Sequence, residues 1–190
     1  MLSIDDLSEM RLDYSPVEFI VREATAGWER DGAHALRRAV FCIEQGIFVG
    51  DDRDAVDERA RLLVAMACIA GMPEQVVGTV RIHEEPAQQA GLWWGSRLAV
   101  HPAFRSQGHL GATLIRLAVS RAHAQGCTAF RAHVQRQNVP LFEKLHWQVL
   151  GDVAFHGRPH AVMAPELAFY PPCHDPASGL VSRRKCGSAA

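Results

Sequence analysis

The residues best suited to chemistry lie between Leu98 and Gly111, in the run LAVHPAFRSQGHLG. A hydrophobic segment ends, a basic residue (Arg105) follows, and Gly108 and Gly111 stand where a long apolar-periodic helix begins. The first turn of a helix carries backbone N–H groups without partners, and the macrodipole adds positive potential there. Gly108 lets an oxygen-rich group approach those amides closely, so a pyrophosphate is a natural ligand. A helix start that binds nothing fits the glycine pattern equally well.

The elements that would position this loop follow from periodicity. Phe19 to Arg22 is β-prone. From Asp31 the pattern turns helical, with Leu36, Val40 and Ile43 on one face. The acid-rich run DDRDAVDER follows, a solvated loop or short helix by charge alone. LLVAMACIA and VVGTVRIHEE read as a β-hairpin about Gly71-Met72-Pro73, and LWWGSRLAV as a third strand. A helix is expected from about Gly108 to Gln125, with Leu110, Leu114, Ile115, Ala118, Val119 and Ala122 as its buried stripe. FRAHV, a short helix from Val139 to Leu145, WQVLGDVAF and HAVM complete a mixed sheet with helices against it. Residues 1–16 read as a flexible arm, 17–170 as the domain, and 171–190 as a disordered tail.

Composition narrows the class. A chain of 190 residues with 48% hydrophobic and 22% charged residues supports one full core. The formal net charge of -1 gives no field toward nucleic acid or an anionic membrane. No apolar run is long enough to span a bilayer, and the acidic start MLSIDDLSEM lacks signal-peptide features. Five cysteines without C-x-x-C spacing fit reduced thiols and a cytoplasmic location. His156 and His160 have no third ligand nearby in sequence, so no metal site is expected and a turn with solvated imidazoles is favoured.

Beyond composition, the order strand–loop–R-x-x-G–helix, followed by a strand and N-x-P-x-F-E-K-L-x-W, resembles the GCN5-related N-acetyltransferases, the GNAT superfamily. Arg105-Ser106-Gln107-Gly108 matches the first four positions of that family's cofactor loop, while Leu110 stands where a small residue is usual. RAVFCIEQGI, SRLAVHPAFRSQG, AHVQRQNVPLFEKL and HGRPHAVM resemble a bacterial subgroup of nitrogen-starvation N-acetyltransferases. The resemblance covers about residues 19–166. It implies an α/β (α+β) fold with a mostly antiparallel sheet of six to seven strands, splayed at the cofactor site and flanked by about four helices. It also implies acetyl-CoA as acyl donor and a small-molecule primary amine as acceptor, attacked directly in a ternary complex. Leu98, Ala99 and Val100 would pair with the pantetheine arm. Arg105, Ser106, Gln107, Gly108, His109, Leu110, Gly111 and Ala112 would hold the pyrophosphate, with Asn138 and Phe142 completing the cofactor site. Phe142 aligns with a tyrosine that often protonates the departing thiolate, and it has no proton to give.

An attacking amine must be neutral, so a carboxylate or imidazole near the thioester could take its proton. Within the resemblance, His83 and Glu84 are the first candidates, each also readable as an exposed strand end. Glu44 is the third, also readable as a helix-terminal surface charge. Arg81 shares a strand face with His83 and is a candidate for substrate binding, or for a salt bridge with the acids of Asp51 to Asp57. Trp93 and Trp94 alternate, one into the core and one toward a surface or a homodimer interface. Two other readings stay open. Arg38, Phe41, Asp51, Asp54, Asp57 and Arg81 echo the acyl-homoserine-lactone synthases, which use S-adenosylmethionine, and the absent tyrosine fits a catalytically weak acyl-CoA-binding sensor.

Overall fold

The computed structural model describes residues 18–85, 87–106 and 109–183. The arm at 1–16 and the loop residues Gln107 and Gly108 lie outside the described residues. The strands are β1 (Glu18–Glu23), β2 (Arg61–Ile69), β3 (Met72–Glu84), β4 (Leu92–Val100), β5 (Ala129–Gln135), β6 (Trp147–Phe155), β7 (Arg158–Pro165) and β8 (Leu180–Arg183). They form one sheet in the order β6-β7-β5-β4-β3-β2-β1-β8. Every neighbouring pair is antiparallel except β4–β5, which is parallel.

The helices are α1 (Gly27–Arg37), α2 (Leu110–His123) and α3 (Val139–Glu143), and α1 continues as a π-helical segment, Arg38–Glu44. The start of α1 is fixed by buried Glu29, whose carboxylate accepts the N–H groups of Thr25 and Ala26. Its inner face (Ala33, Leu36, Val40, Phe41) packs on Val64, Met66, Val76 and Ala99. On the opposite face of the sheet, the expected stripe of α2 is buried in full against Val77, Val80, Phe130 and Ala132. Gly78 permits this close approach, because a Cβ there would lie 3.0 Å from Leu114 Cδ1 and 3.1 Å from Ala65 Cβ.

The mixed, mostly antiparallel sheet matches the expectation, with eight strands in place of six or seven and three helices in place of four. The added strand arises in the segment expected to be a disordered tail. The outer edge of β1 offers unpaired backbone groups, and Leu180–Arg183 pairs with Val21 to Glu18. Gly179, at φ +76°, turns the chain into that strand.

Candidate active site

The site begins where two parallel strands part. β4 and β5 pair only from Leu92↔Ala129 to Gly95↔Ala132. Beyond that, β5 turns to β7, and Ser96–Val100 keeps a strand partner on the β3 side alone. A register shift opposite Thr79–Arg81 and a left-handed Arg97 (φ 54°) bend β4 away from β5 at this point. Gly95 sits at the fork, where a Cβ would come within 2.9 Å of the Phe130 ring.

A cavity of about 550 Å³ passes through the sheet at the fork. Strand alternation divides its walls into two lobes. On the α2 side lie Val80, Leu98, Ile115, Phe130, Phe142 and Trp147, members or close neighbours of the main core. On the α1 side lie His83, Glu85, Trp94, Ser96, Arg97, His133 and the residues beneath them.

An alternating set of arginines and aspartates underlies the α1-side lobe. Buried Arg37 donates to Asp52 at 2.8 Å and to both oxygens of Asp57 at 2.6 and 3.0 Å. Arg81 is bidentate on Asp54 at 2.6 and 3.1 Å, reaches Asp57 at 2.9 Å, and donates to Ser96 Oγ at 3.0 Å. Arg97 joins Asp52 at 2.9 Å to Asp54 at 3.1 Å and lies 4.4 Å over the Phe48 ring. Buried charges persist when each is paired and hydrogen-bonded. Burial alone would raise the carboxyl pKa of Asp57, but the Arg37 hydrogen bonds hold it well below the usual carboxylate range. Burial likewise acts upward on Asp54, and Arg81 brings it below that range. Arg81 therefore lines the cavity as a satisfied strut, the salt-bridged alternative to substrate binding.

Above this framework stands a wall of rings. Trp94 lies 4.8 Å from His133, His133 stacks on Phe155 at 4.5 Å, and His156 meets Phe155 at 4.3 Å and Phe48 at 4.7 Å. His160 is buried and contacts Phe155, so the turn expected to carry solvated imidazoles contributes to the cavity instead. Its signal was in the register: Gln135 pairs His160 and His133 pairs Val162, which places both imidazoles on one face.

Of the proton-transfer candidates, His83 alone lines the cavity. It is nearly buried, and burial followed by the fields of Arg59 and Arg81 lowers its pKa to about 4. Nδ1 has no hydrogen-bond partner among the described residues, and Nε2 lies 3.8 Å from Glu85 Oε2. The indole N–H of Trp94, directly across the strand pair, is also unpartnered. Glu84 falls on the other face, as alternation demands once His83 points into the cleft. There its Oε1 accepts the Gly91 N–H at 3.2 Å and braces the β3–β4 connection. Glu44 is outside the cavity, its carboxylate held 2.6 Å from Arg105 and its pKa lowered by that bond. Glu85, one residue past the strand, was missed, since no periodicity extends into a strand end.

The cofactor candidates divide in the same way. Leu98, Asn138 and Phe142 line the cavity, and Phe142 is buried edge-on to Trp147 at 4.9 Å. Ala99 faces α1, whereas Val100 packs toward α2 and its carbonyl accepts Arg105 Nε at 3.1 Å. Ser106 is exposed, His109 takes a left-handed conformation before α2, and its side chain makes no capping hydrogen bond among the described residues. Leu110 is buried in the core, leaving only its backbone to face a ligand, whereas Gly111 is open and Ala112 half-buried. Of the lactone-synthase echo, Asp54, Asp57 and Arg81 belong to the ion-pair framework. Arg38 and Asp51 do not: Arg38 donates to the Gly50 carbonyl, and Asp51 caps its own loop. Arg37 and Asp52 occupy the buried positions. Among the described residues, no three His, Cys, Asp or Glu side chains group as a metal site, and no helix is long and apolar enough to cross a membrane.

A sheet parted at its parallel pair, with a helix starting past the parted strand, matches the fold that the resemblance to the GCN5-related N-acetyltransferases implies. The chain belongs to the acetyltransferase (GNAT) family, whose model matches residues 18–147. No curated protein matches the sequence. Among solved structures, a protein of Lactobacillus plantarum assigned as an N-acetyltransferase is similar with a TM-score of 0.68 at 23% identity, covering 78% of this chain and 98% of that one. Escherichia coli ElaA gives a TM-score of 0.63 at 18% identity, over 79% and 99%. The CoA-dependent acyl-homoserine lactone synthase BjaI, solved with SAM and isopentyl-CoA, gives 0.61 at 16%, over 77% and 82%. These likenesses are of fold.

Proposed function

We propose that this chain is an N-acyltransferase that moves an acyl group from a CoA thioester to the primary amine of a small molecule, by direct attack in a ternary complex. The observation that carries the reading is the cavity through the parted sheet, lined on its α1 side by His83. The free side of Ser96–Val100 offers backbone groups to a pantetheine arm, and an N–H there would polarise the thioester carbonyl. Arg105 and the start of α2 would receive the pyrophosphate. The resemblance of the Arg105–Gly108 loop to that of the GCN5-related N-acetyltransferases implies acetyl, so acetyl-CoA is the donor with which the reaction is first tested.

His83 is the base in this reading. Its low pKa keeps it neutral near pH 7, and Nδ1, buried and without a partner among the described residues, would take the amine proton once a substrate reaches it. Glu85 stands at Nε2, where its carboxylate would stabilise the imidazolium as it forms. Phe142 supplies no acid, but a thiol of pKa about 8.5 leaves as thiolate near neutrality without one. The Arg81–Asp54–Arg97 framework favours one other reading, a lactone-synthase-like enzyme using S-adenosylmethionine. Incubation with acetyl-CoA and an amine panel, followed by free-thiol release and product mass, tests the proposal. Amine-dependent thiol release with an amide product supports it. Acetyl-CoA binding without transfer selects the sensor reading, and S-adenosylmethionine binding without CoA binding selects the lactone-synthase reading.

A further inference from the structure

Five rings form one connected wall on the α1 side of the cleft. Trp94 of β4, His133 of β5 and Phe155 of β6 stand in a row, with successive centroids 4.8 and 4.5 Å apart. His156 meets Phe155 at 4.3 Å and Phe48 at 4.7 Å, both edge-on. All five line the cavity and none is fully buried: Phe48, Trp94, His133 and Phe155 are half-buried, and His156 is exposed. Trp94 and Phe155 belong to neither of the two cores. Aromatic surface kept in a concave cleft, outside any core, is suited to covering the apolar part of a ligand.

The arrangement of the row selects the kind of apolar part. The strand order β6-β7-β5-β4 puts His133 between Trp94 and Phe155. Rings turned toward one another in this way leave their edges to the cleft. A ring edge is partially positive and a ring face partially negative, so the face of an aromatic ligand is the complement and a saturated ring is not.

Charge argues against a cation in the same place. Arg97 already lies 4.4 Å over the Phe48 ring. The carboxylates that line the cleft, Asp54 and Glu85, are engaged by Arg81, Arg97 and Arg59. Burial is the largest cause of the lowered pKa of His133 and His156, so the wall itself is uncharged near pH 7. The wall also begins beside the group that would take the amine proton. Trp94 is the cross-strand partner of His83, at a strand spacing of ~4.8 Å. A two-carbon linker between an amine nitrogen and a ring spans about that distance.

We infer that this wall receives the ring of the acceptor, and that the acceptor is an arylalkylamine with an uncharged aromatic ring. The inference rests on the acyl-transfer reading above and names the substrate class for it. The ring would lie against the edges of Trp94, His133 and Phe155, with the amine directed toward His83.

Calorimetric titration of the full chain with CoA, and separately with phenethylamine, cyclohexylethylamine and putrescine, tests the inference. The first two amines share a charge and a linker and differ only in the ring. Burial alone favours the bulkier, more apolar cyclohexyl ring, so a preference for phenyl reads the edge-to-face contact. Phenethylamine is expected to bind about three- to tenfold more tightly than cyclohexylethylamine, and more tightly than putrescine. In His133→Ala, which removes the middle ring of the row, the phenyl preference should fall at least about twofold. Should that variant not fold, the wild-type preference decides alone. Equal binding of the two ring amines, preference for cyclohexyl or putrescine, or no amine binding overturns the inference and leaves the CoA reading standing. A phenyl preference unchanged in folded His133→Ala overturns the placement on this wall. Failure of CoA to bind overturns the acyl-transfer reading itself, and the amine titrations still decide what the wall receives.

Discussion

At the scale of single residues, the account turns on His83. Its neighbours on the chain, Arg81 and Glu84, were equally plausible by type, and only the surroundings separate the three. Arg81 is consumed by two aspartates, Glu84 by a backbone amide, and His83 lines the cavity with a buried Nδ1 that has no partner among the described residues. Replacing His83 with alanine should lower turnover with a good amine about 10²- to 10⁴-fold while leaving CoA affinity within twofold. Steady-state kinetics beside calorimetry measure both. Turnover close to wild type would remove His83 from the role of base. Alternation alone could have excluded Glu84 once His83 was assigned to the cleft. The role of Glu85 was hidden, because it depends on how the chain leaves the strand.

The elements were more legible than the contacts between them. The hairpin of β2 and β3, the strand Leu92–Val100 and the stripe of α2 all follow from periods of two and 3.6. The bend in β4 does not, because it depends on Arg97 adopting φ 54°, which no sequence pattern requires of an arginine. That bend brings Arg97 to Asp52 and Asp54 and completes a framework whose other anchor is Arg37, one residue from the arginine favoured by sequence. Arg37→Ala would remove one of two arginine partners from each of Asp52 and Asp57, the former fully buried, and should cost about 3 kcal/mol by urea denaturation. A loss under about 1 kcal/mol would mean that the network contributes little. Gly78→Ala tests the seat of α2: with Leu114 at 3.0 Å and Ala65 at 3.1 Å from the new methyl, overpacking should cost about 1–3 kcal/mol. An unchanged denaturation midpoint would show that α2 is free to move away.

For the whole molecule, the near-zero net charge conceals a neutral interior lattice of three arginines and three aspartates, together with histidines kept uncharged. Burial is the largest cause of the lowered pKa of His83, and also of His34, His133 and His156. In the unfolded chain such imidazoles take up protons near pH 6.5, whereas folded His83 does so only near pH 4. Between those values the unfolded state binds more protons, so stability falls as pH falls. Asp54 and Asp57 act in a lower window, since their pKa values lie below the usual carboxylate range and their contribution is lost only under about pH 4. Thermal melts from pH 7.5 to 4.5 should therefore show a falling Tm, with a shallower slope in His83→Asn. Identical slopes would contradict the burial of a neutral His83. The C-terminal strand was illegible for a reason at this same scale: the four-residue run Leu180–Arg183 pairs there because β1 leaves an open edge.

The central claim is that a CoA thioester sits in the gap where β4 leaves β5, with the acceptor side facing His83. A crystal structure of the protein with CoA tests it most directly. The account predicts the CoA sulfur between Leu98 and Asn138, the pyrophosphate at the start of α2, and the His83 imidazole facing the sulfur across the gap. CoA bound elsewhere, or its sulfur lying outside the gap, would contradict it.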